Sequence, residues 1–542
     1  AKGEAFARAV IPGTIKTNDY DMEIRDRYSV EFDSGDDKEK EYFFAKSYFP
    51  ATSAARNDSK GSYMEFALDN KSSKVIVFLT AGGENIFREV PELDEIQHGT
   101  GTEELIYTAE KLMGCGELGK NAANAVSSCL LNRIYDPFKQ AFVLVENRTK
   151  CNRYYSYDST EMAIGSILYS LMGSYDDAVK QIDLCVTDEI LGALSAWFAF
   201  CRTRNHKILE KALPRLLTAR KIDGELVVAD KLTLRELAYK QTGSPLKDIK
   251  NENVYSLDMS CYKLLHLDIL LRMATVTKNK SLDAIVTAKE ALRANINRTL
   301  YNPRLGLYMD RYVSGDFVGI YTANTFLPLV AGAVDNVEVL DKLLIHLKDP
   351  KEFGGEWAVP TLPRNNPLHN KLHLTKDSKQ LEENGYRGKV SPLMNFLIYL
   401  GLKRYGVSSF EMDLSIKSAL AYSEAFKKFG KIPAFFPSAE SKLYSAPTVN
   451  YLSGNLMSFI GMMQMIDVEY FRDDLRPALC FGTLLEGDHR LANIELFGNK
   501  FSISISDEET RLVMNDTEIL KGSGGKFLVR NFTENYAGTE FL

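Results

Sequence analysis

Residues 386–395 read YRGKVSPLMN and lead directly into an apolar segment that stops at Gly406. A tyrosine and an arginine stand together in a loop jointed by Gly388, ahead of a run with helical periodicity. An arginine in such a loop has little reason to pack, and its planar fork can bind vicinal hydroxyls or a carboxylate. Tyr386 and Arg387 are therefore candidate ligand-binding residues at the mouth of a helix.

A second candidate lies in KEFGGEWAVP (351–360), where Glu356 precedes Trp357. An indole face can stack on a pyranose ring while the adjacent carboxylate accepts hydrogen bonds from hydroxyl groups. The structural alternative is a surface glutamate next to a core tryptophan. Both interpretations stay open from the residues alone.

Two aspartates stand where apolar, helix-periodic runs begin: Asp158, after Tyr157, and Asp258. A carboxylate at this place can satisfy the free N–H groups of a helix start, so capping is the structural alternative for both. A binding or catalytic role is compatible with capping. We read Asp310, in LYNPRLGLYMD, as an organiser of its loop with a lesser chance of ligand contact.

The composition, net charge and cysteine count argue against several classes of function. The 542 residues are 45% hydrophobic and 25% charged, with a formal net charge of −6, which argues against a nucleic-acid partner. No apolar run approaches the ~18 residues of a membrane span. The first residues lack the charged, apolar and small-residue order of a signal peptide, and removal of an upstream signal stays open. Seven cysteines without a CxxC pair favour free thiols in a cytoplasmic location. Oligomeric state stays open.

Motifs for other chemistries are missing from the sequence. There is no nucleotide-binding glycine loop and no G-x-S-x-G elbow. His369 and His373 are four residues apart but lie in a Pro- and Asn-rich loop without a partner ligand. We therefore expect neither a metal nor a cofactor.

The periodicity changes along the chain. Residues 1–100 alternate in short runs typical of an antiparallel β-sandwich, and 101–150 are helical in composition and read as a linker. Residues 151–472 contain about ten to twelve helical segments, many apolar on more than one face, and 473–542 return to strand character. We predict a multidomain, mainly α protein with a closed double ring of helices and a small C-terminal β segment.

The segment 386–406 resembles the "YWRG-P-x-W…N…GL-x-RYG" stretch of glycoside hydrolase family 63 and its mannosylglycerate hydrolase-like relatives. The matching positions are Arg387, Gly388, Val390, Pro392, Asn395, Gly401, Leu402, Arg404, Tyr405 and Gly406. It departs at two tryptophans, which are replaced by Tyr386 and Ser391. The resemblance extends over about 130–460 and implies an (α/α)6 barrel. It also implies a carbohydrate site formed by Tyr157, Asp158, Glu356, Trp357, Tyr386 and Arg387.

The resemblance implies inverting hydrolysis of an α-glucosidic or α-mannosidic bond in a small oligosaccharide or glycoside, which needs one acidic and one basic carboxyl group. Thr242 stands where the family has its acid, and Ala434 where it has its base. Either the alignment of these loops is shifted, or the carboxylates have moved, or the protein is inactive. Asp258, and with less support Asp158, are the catalytic candidates; Asp230, Glu236, Asp248 and Glu440 flank the two positions.

Two alternatives remain. A catalytically inactive carbohydrate-binding or scaffold protein on the same fold fits the loss of both groups. A polysaccharide lyase using Tyr, His and Arg would need a basic cleft for a uronate, and the acidic balance of the chain counts against it.

Overall fold

The structure, a computed structural model, describes six strands between residues 5 and 82 by their backbone. Beyond them it describes residues 116–136, 139, 141–147, 157–229, 252–367, 369, 388–438, 447, 449–483, 485–523 and 528–532. Residues 137–138 and 140 are among the gaps. The chain divides into two compact units, Ala1–Glu104 and Leu105–Leu542.

The first unit contains two antiparallel three-stranded sheets. Their strands are β1 (Ala5–Ile11), β2 (Ser29–Asp33), β3 (Tyr42–Ser47), β4 (Ser53–Asp58), β5 (Gly61–Leu68) and β6 (Phe78–Gly82). One sheet has the order β1-β5-β4 and the other β2-β3-β6. The predicted antiparallel strands are present, and their packing into a sandwich remains a prediction.

The second unit is dominated by twelve described helices. They are α1 (Gly116–Leu131), α2 (Ser159–Met172), α3 (Tyr175–Cys185), α4 (Gly192–Thr203), α5 (His206–Ala219), α6 (Leu257–Val276), α7 (Leu282–Leu300), α8 (Leu327–Ala331), α9 (Val337–Lys348), α10 (Pro392–Arg404), α11 (Ser408–Phe429) and α12 (Leu456–Met465). The segments with apolar periodicity in the sequence, such as 392–406 and 281–300, form helices within one or two residues of the expected bounds.

The even-numbered helices pack against one another in chain order. Helix α2 contacts α4, and the contacts continue through α6, α8 and α10 to α12; the 3-10 turn Ser453–Asn455 before α12 contacts α2 again. Nearly every residue of α10 and α12 is buried, whereas the odd-numbered helices α7 and α9 bury one face. The even helices are thus inner and the odd helices outer, as in the predicted double ring.

The lengths of the connections distinguish the two ends of this ring. Short turns join the inner helices α2, α4, α6, α8 and α10 to the outer helix that follows each of them: residues 173–174, 204–205, 277–281, 332–336 and 405–407. Such turns make the partners antiparallel, so the inner helices all run in one direction. Most of the connections at the amino ends of the inner helices are long: 132–158, 220–256, 301–326, 349–391 and 430–455. Long loops on a rigid scaffold are the usual place for binding residues, which directs attention to the amino ends.

Short strands in the connections form three small sheets. They are β7 (Arg133–Asp136) with β8 (Ala141–Leu144), β9 (Val228–Ala229) with β10 (Val254–Tyr255) and β13 (Arg311–Tyr312), and β11 (Tyr301–Asn302) with β12 (Leu307–Tyr308). Two further sheets lie towards the C-terminus. One has the order β14 (Ile466–Val468), β15 (Leu479–Gly482) and β20 (Leu528–Phe532). The other has the order β16 (His489–Leu496), β17 (Asn499–Ile505), β18 (Glu509–Met514) and β19 (Thr517–Ser523). Strands therefore occupy the C-terminal segment in which the sequence alternates with period two.

A buried charge network holds the carboxyl ends of the inner helices to β14. Asp467 is fully buried and accepts hydrogen bonds from Tyr470 Oη (2.9 Å) and Lys403 Nζ (3.3 Å), and from a guanidinium nitrogen of Arg202. Burial opposes the charge on Lys403, yet the negative charge of Asp467 raises the pKa of that lysine overall. The carboxylate therefore compensates two buried cations at the end of the ring opposite the long loops.

Candidate functional site

The amino end of α2 carries the predicted pair Tyr157 and Asp158. Asp158 is exposed, and its Oδ1 accepts hydrogen bonds from the N–H groups of Thr160 (2.8 Å) and Glu161 (3.2 Å). The Tyr157 hydroxyl donates to Asp136 at 3.1 Å. Asp158 is thus an N-cap, the structural alternative named above, and its Oδ2 has no hydrogen bond within the described part of the chain.

The next inner helix, α4, begins at a carboxylate that the sequence analysis did not single out. Asp188 Oδ1 accepts from the N–H groups of Ile190 (3.0 Å) and Leu191 (2.7 Å), and Oδ2 from the hydroxyls of Ser159 (2.8 Å) and Thr160 (2.9 Å). Asp188 therefore joins the starts of α2 and α4. The signal was available in the sequence, because VTDEILG places an aspartate before an apolar run.

Two carboxyl groups meet at the amino end of α6. Asp258 lies in the first turn, where its Oδ1 accepts from the Ser256 hydroxyl and its Oδ2 from Asn324 Nδ2 at 3.4 Å. Asp310, from the loop after β12, accepts the N–H of Leu257 on its Oδ1 at 2.7 Å. Asp310 thus caps the helix on which Asp258 stands, which is more specific than the loop-organising role expected from sequence.

The Asp258–Asp310 pair has no salt bridge to a lysine, arginine or histidine among the described residues. Both residues are half-buried. Burial, and then the negative charge of Asp258, raise the pKa of Asp310 to about 7, although the bond from Leu257 N–H works in the opposite direction. Near neutral pH the pair can therefore carry a proton, as a general acid must.

Three loop segments run side by side above α10. Pro360 bridges to Val390, and Val390 bridges to Phe436, in antiparallel fashion. Asn395, in the first turns of α10, holds Val359 through both its side-chain atoms at 2.9 Å. Asn395, one of the positions that match the family stretch, therefore has a structural role: it joins the loop of Glu356 and Trp357 to helix α10.

Gly388 takes the glycine-jointed turn that the sequence predicts. Its φ of +75° lies in the left-handed region, and a Cβ there would overlap the imidazole ring of His369. His369 Nδ1 lies 2.8 Å from the Leu362 carbonyl, and Nε2 lies 3.2 Å from the Ser438 hydroxyl. Burial lowers the pKa of His369, so the neutral ring connects three loops at this end of the ring.

The expected base position, Ala434, is half-buried in the loop that bridges to Val390 through Phe436. A carboxylate from another segment lies close by. Glu146 follows β8, and its two oxygens accept from the Ser453 N–H (2.8 Å) and hydroxyl (2.5 Å). Sequence reasoning missed Glu146, because no local pattern relates it to the loop that it adjoins.

Glu356 is exposed and Trp357 is partly exposed. Trp357 lines a cavity of about 390 Å³ between the end of α9 and the start of α11. Its other walls include Leu347, Phe353, Phe410, Asp413, Leu414 and Lys417. Neither Asp158 nor Asp258 lines this cavity, so the tryptophan and these aspartates border different spaces.

Several predicted positions lie outside the described residues. They are Tyr386, Arg387 and Thr242, together with Asp230, Glu236, Asp248 and Glu440. Among the described residues, no three His, Cys, Asp or Glu side chains are grouped so that they could hold a metal ion. No described helix has the length and apolarity needed to cross a bilayer.

Residues 206–431 match the family described as the mannosylglycerate hydrolase MGH1-like glycoside hydrolase domain. An uncharacterized protein of Borreliella burgdorferi is 22% identical over 299 residues, which cover 54% of this chain and 59% of that protein. The match thus spans less than two thirds of this relative's length.

Solved structures show similarity of fold. A sialidase aligns with a TM-score of 0.58 at 10% identity, over 91% of this chain and 53% of that one. The GH63 mannosylglycerate hydrolase from Thermus thermophilus, in complex with Tris, aligns with a TM-score of 0.45 at 12% identity, over 62% of this chain and 98% of that one. Over residues 206–431, which are less than half of its length, the chain is thus similar to the mannosylglycerate hydrolase MGH1-like glycoside hydrolases.

Proposed function

We propose that the protein is an inverting glycoside hydrolase on an (α/α)6 barrel, acting without a cofactor on an α-glucosidic or α-mannosidic bond of a small oligosaccharide or glycoside. One observation supports this most directly. The glycoside hydrolase domain match includes Asp258 and Asp310, which meet at the amino end of an inner helix without a described cation. Proton donation to a leaving oxygen needs a carboxyl group of this kind.

The proposed sugar subsite lies at the amino ends of the inner helices. Asp158 retains a carboxylate oxygen that no described group binds, so it can accept a sugar hydroxyl while it caps α2. Tyr157 would present its ring beside it. Tyr386 and Arg387 directly precede Gly388 in the sequence and would supply a stacking face and a fork for vicinal hydroxyls.

Glu356 and Trp357 would bind the substrate from a separate space, on the loop that Asn395 holds. Their placement beside the cavity between α9 and α11 makes them candidates for a part of the substrate distant from the scissile bond. Of the two catalytic candidates, Asp258 is favoured over Asp158. The reason is that Asp258 has a second carboxyl group beside it, whereas Asp158 is an exposed cap.

A catalytically inactive carbohydrate-binding protein is the second candidate function. The observation that favours it is the side chain of Ala434, which cannot take up a proton, at the position expected for the base. Binding through Arg387 would persist in such a protein.

Hydrolysis of aryl α-glucosides and α-mannosides tests the proposal. Proton NMR of the first-formed sugar should show the β-anomer if the reaction inverts. The variant Arg387→Ala should lose sugar binding and hydrolysis, whereas Arg304→Ala, an exposed arginine in a turn, should behave as wild type. Sugar binding without hydrolysis would establish the inactive alternative, and absence of both would contradict a carbohydrate function.

For the compartment, we propose a reducing cytosol. The five described cysteines are buried and none of them forms a disulfide: Cys129, Cys185, Cys201, Cys261 and Cys480. Cysteines in a protein that folds under oxidising conditions are more often paired.

A further inference from the structure

The positions of the two missing catalytic groups are the starting point. A threonine at 242 and an alanine at 434 leave a hydrolase of this family without its expected acid and base. If the protein is a hydrolase, other carboxyl groups at the amino ends of the inner helices must replace them. The described candidate carboxyl groups differ in their hydrogen-bond partners and neighbours. These differences distinguish carboxylates that cap a helix from those suited to catalysis.

Asp158 and Asp188 are explained by capping. Each accepts two backbone N–H groups at the start of an inner helix, and Asp188 also accepts two hydroxyl groups. These bonds give both carboxylates a structural task beside the starts of α2 and α4, which accounts for their presence without a catalytic role.

Asp310 and Asp258 differ from these caps because they are neighbours at one helix start. The Asp310 carboxyl accepts the N–H of Leu257 (2.7 Å), on the helix that carries Asp258. Asp258 Oδ1 accepts the Ser256 hydroxyl and the Met259 N–H (2.8 Å), and its Oδ2 accepts the long bond from Asn324. Two neighbouring carboxyl groups without a cation resist double ionisation, and such a pair tends to share one proton.

Glu146 lies next to the loop of Ala434. Residues 451–452 connect them, since Tyr451 N–H donates to the Ile432 carbonyl at 2.9 Å and Leu452 N–H donates to the Glu146 carbonyl at 3.0 Å. The Glu146 carboxylate receives both the N–H and the hydroxyl of Ser453. Hydrogen bonds from neutral donors favour the ionised form, which a base requires before it takes a proton from water.

The order of the inner helices places these groups on opposite sides of the ring. Counting along α2, α4, α6, α8, α10 and α12, the helix opposite α6 is α12, and Ser453 lies in the turn that leads into it. Inversion requires the acid and the base on opposite faces of the sugar.

We infer that the Asp258–Asp310 pair is the proton donor of this enzyme and that Glu146 is its base, in place of the residues lost at 242 and 434. This inference rests on the proposed glycosidase function. Asp258 is the catalytic residue that meets the glycosidic oxygen, and Asp310 is a positioning residue that keeps a proton in the pair.

The chemistry balances with these groups alone. As the bond from C1 to the glycosidic oxygen breaks, that oxygen takes the proton of the pair through Asp258. Water attacks C1 from the opposite face and gives a proton to Glu146, which leaves a sugar hydroxyl of inverted configuration. Exchange with solvent returns the proton from Glu146 to the pair, so one water is consumed and one glycosidic bond is cleaved.

The test compares Asp258→Asn, Asp310→Asn and Glu146→Gln in the full chain on aryl α-glycosides with good and poor leaving groups. Loss of a general acid should lower kcat about 10²–10⁴-fold for alkyl or disaccharide substrates and much less for dinitrophenyl glycosides. Asp310→Asn should also displace the alkaline limb of the pH–rate profile. Glu146→Gln should slow every substrate similarly, and azide should restore the Glu146→Ala variant by forming a β-glycosyl azide.

Asp283→Asn is the matched control, because Asp283 is an exposed carboxylate in the first turn of the outer helix α7. Its kcat should equal that of wild type. Circular dichroism of each variant separates loss of fold from loss of chemistry. If Asp258→Asn and Glu146→Gln hydrolyse as wild type does, the inference is wrong and the glycosidase function stands. If folded wild type hydrolyses no glycoside, the proposed function itself is wrong.

Discussion

Replacing Asp310 by asparagine should stabilise the protein at pH 8 while it removes activity. The pKa of Asp310 is about 7, against an ordinary value near 3.8. The folded state therefore binds more protons than the unfolded state between these two values, and wild type loses stability as pH rises through that window. The asparagine side chain does not ionise, and its carbonyl oxygen can still accept the Leu257 N–H, so the cap of α6 is kept.

The expected gain in unfolding free energy follows from the pKa shift of Asp310. About three pKa units at 1.36 kcal/mol each set an upper limit of about 4 kcal/mol for the gain in unfolding free energy at pH 8. At pH 4 the carboxyl is protonated in the folded state, so the variant and wild type should agree within about 1 kcal/mol.

Guanidinium unfolding followed by tryptophan fluorescence is a suitable assay, since both tryptophans of the chain, Trp197 and Trp357, lie in the second unit. Asp283→Asn is again the control and should shift stability by about 0.3–1 kcal/mol at most. The reasoning is refuted if Asp310→Asn and wild type differ by the same amount at pH 4 and pH 8. A gain in stability together with a loss of activity is typical of functional groups held in an unfavourable environment.

Three further outcomes are expected. Asp467→Asn leaves the buried cations Arg202 and Lys403 without their carboxylate and should cost about 3–5 kcal/mol of unfolding free energy. As a control, Asp413→Asn removes a surface ion pair with Lys417 (2.5 Å) and should cost under about 1 kcal/mol. Gly388→Ala should lower the thermal midpoint more than Gly406→Ala, because both glycines have positive φ but a Cβ meets a neighbour only at the first. Iodoacetamide with mass-spectrometric mapping should leave the buried thiols unmodified until the protein unfolds, since burial raises the pKa of Cys129, Cys185, Cys201 and Cys261.

Local patterns in the sequence were sufficient for the helices that build the ring. The start of α10 could be predicted because Ser391 and Pro392 form a standard helix beginning before an apolar run, and its end because Gly406 adopts positive φ. Asp158 could be placed for the same reason: a cap bonds within three residues of itself. Such features depend on neighbours in sequence, which a single chain displays.

The pairing of carboxyl groups could not be predicted, because it depends on contacts distant in sequence. Asp258 and Asp310 are separated by two helices and meet only when the loop after β12 packs over the start of α6. Glu146 reaches the loop of Ala434 through a turn that follows it by more than 300 residues. The sequence pattern around Trp357 indicated a sugar-stacking face, but only packing decides that this ring borders the cavity beside α11.

Capping and catalysis are compatible roles for a carboxylate at the amino end of a helix, and the number of carboxylates decides between them. The partial positive charge of a helix start favours a negative charge beside it, and Asp158 occupies this place at α2. At α6 that charge is already matched by the first carboxylate, so a second carboxyl group in a half-buried place is more stable with its proton. A fold that gathers six helix starts at one end thus provides ionised carboxylates readily. It obtains a proton donor where a second carboxyl group at a helix start has few donors for its charge: the Asp310 carboxyl accepts one hydrogen bond from the described residues, whereas that of Asp188 accepts four.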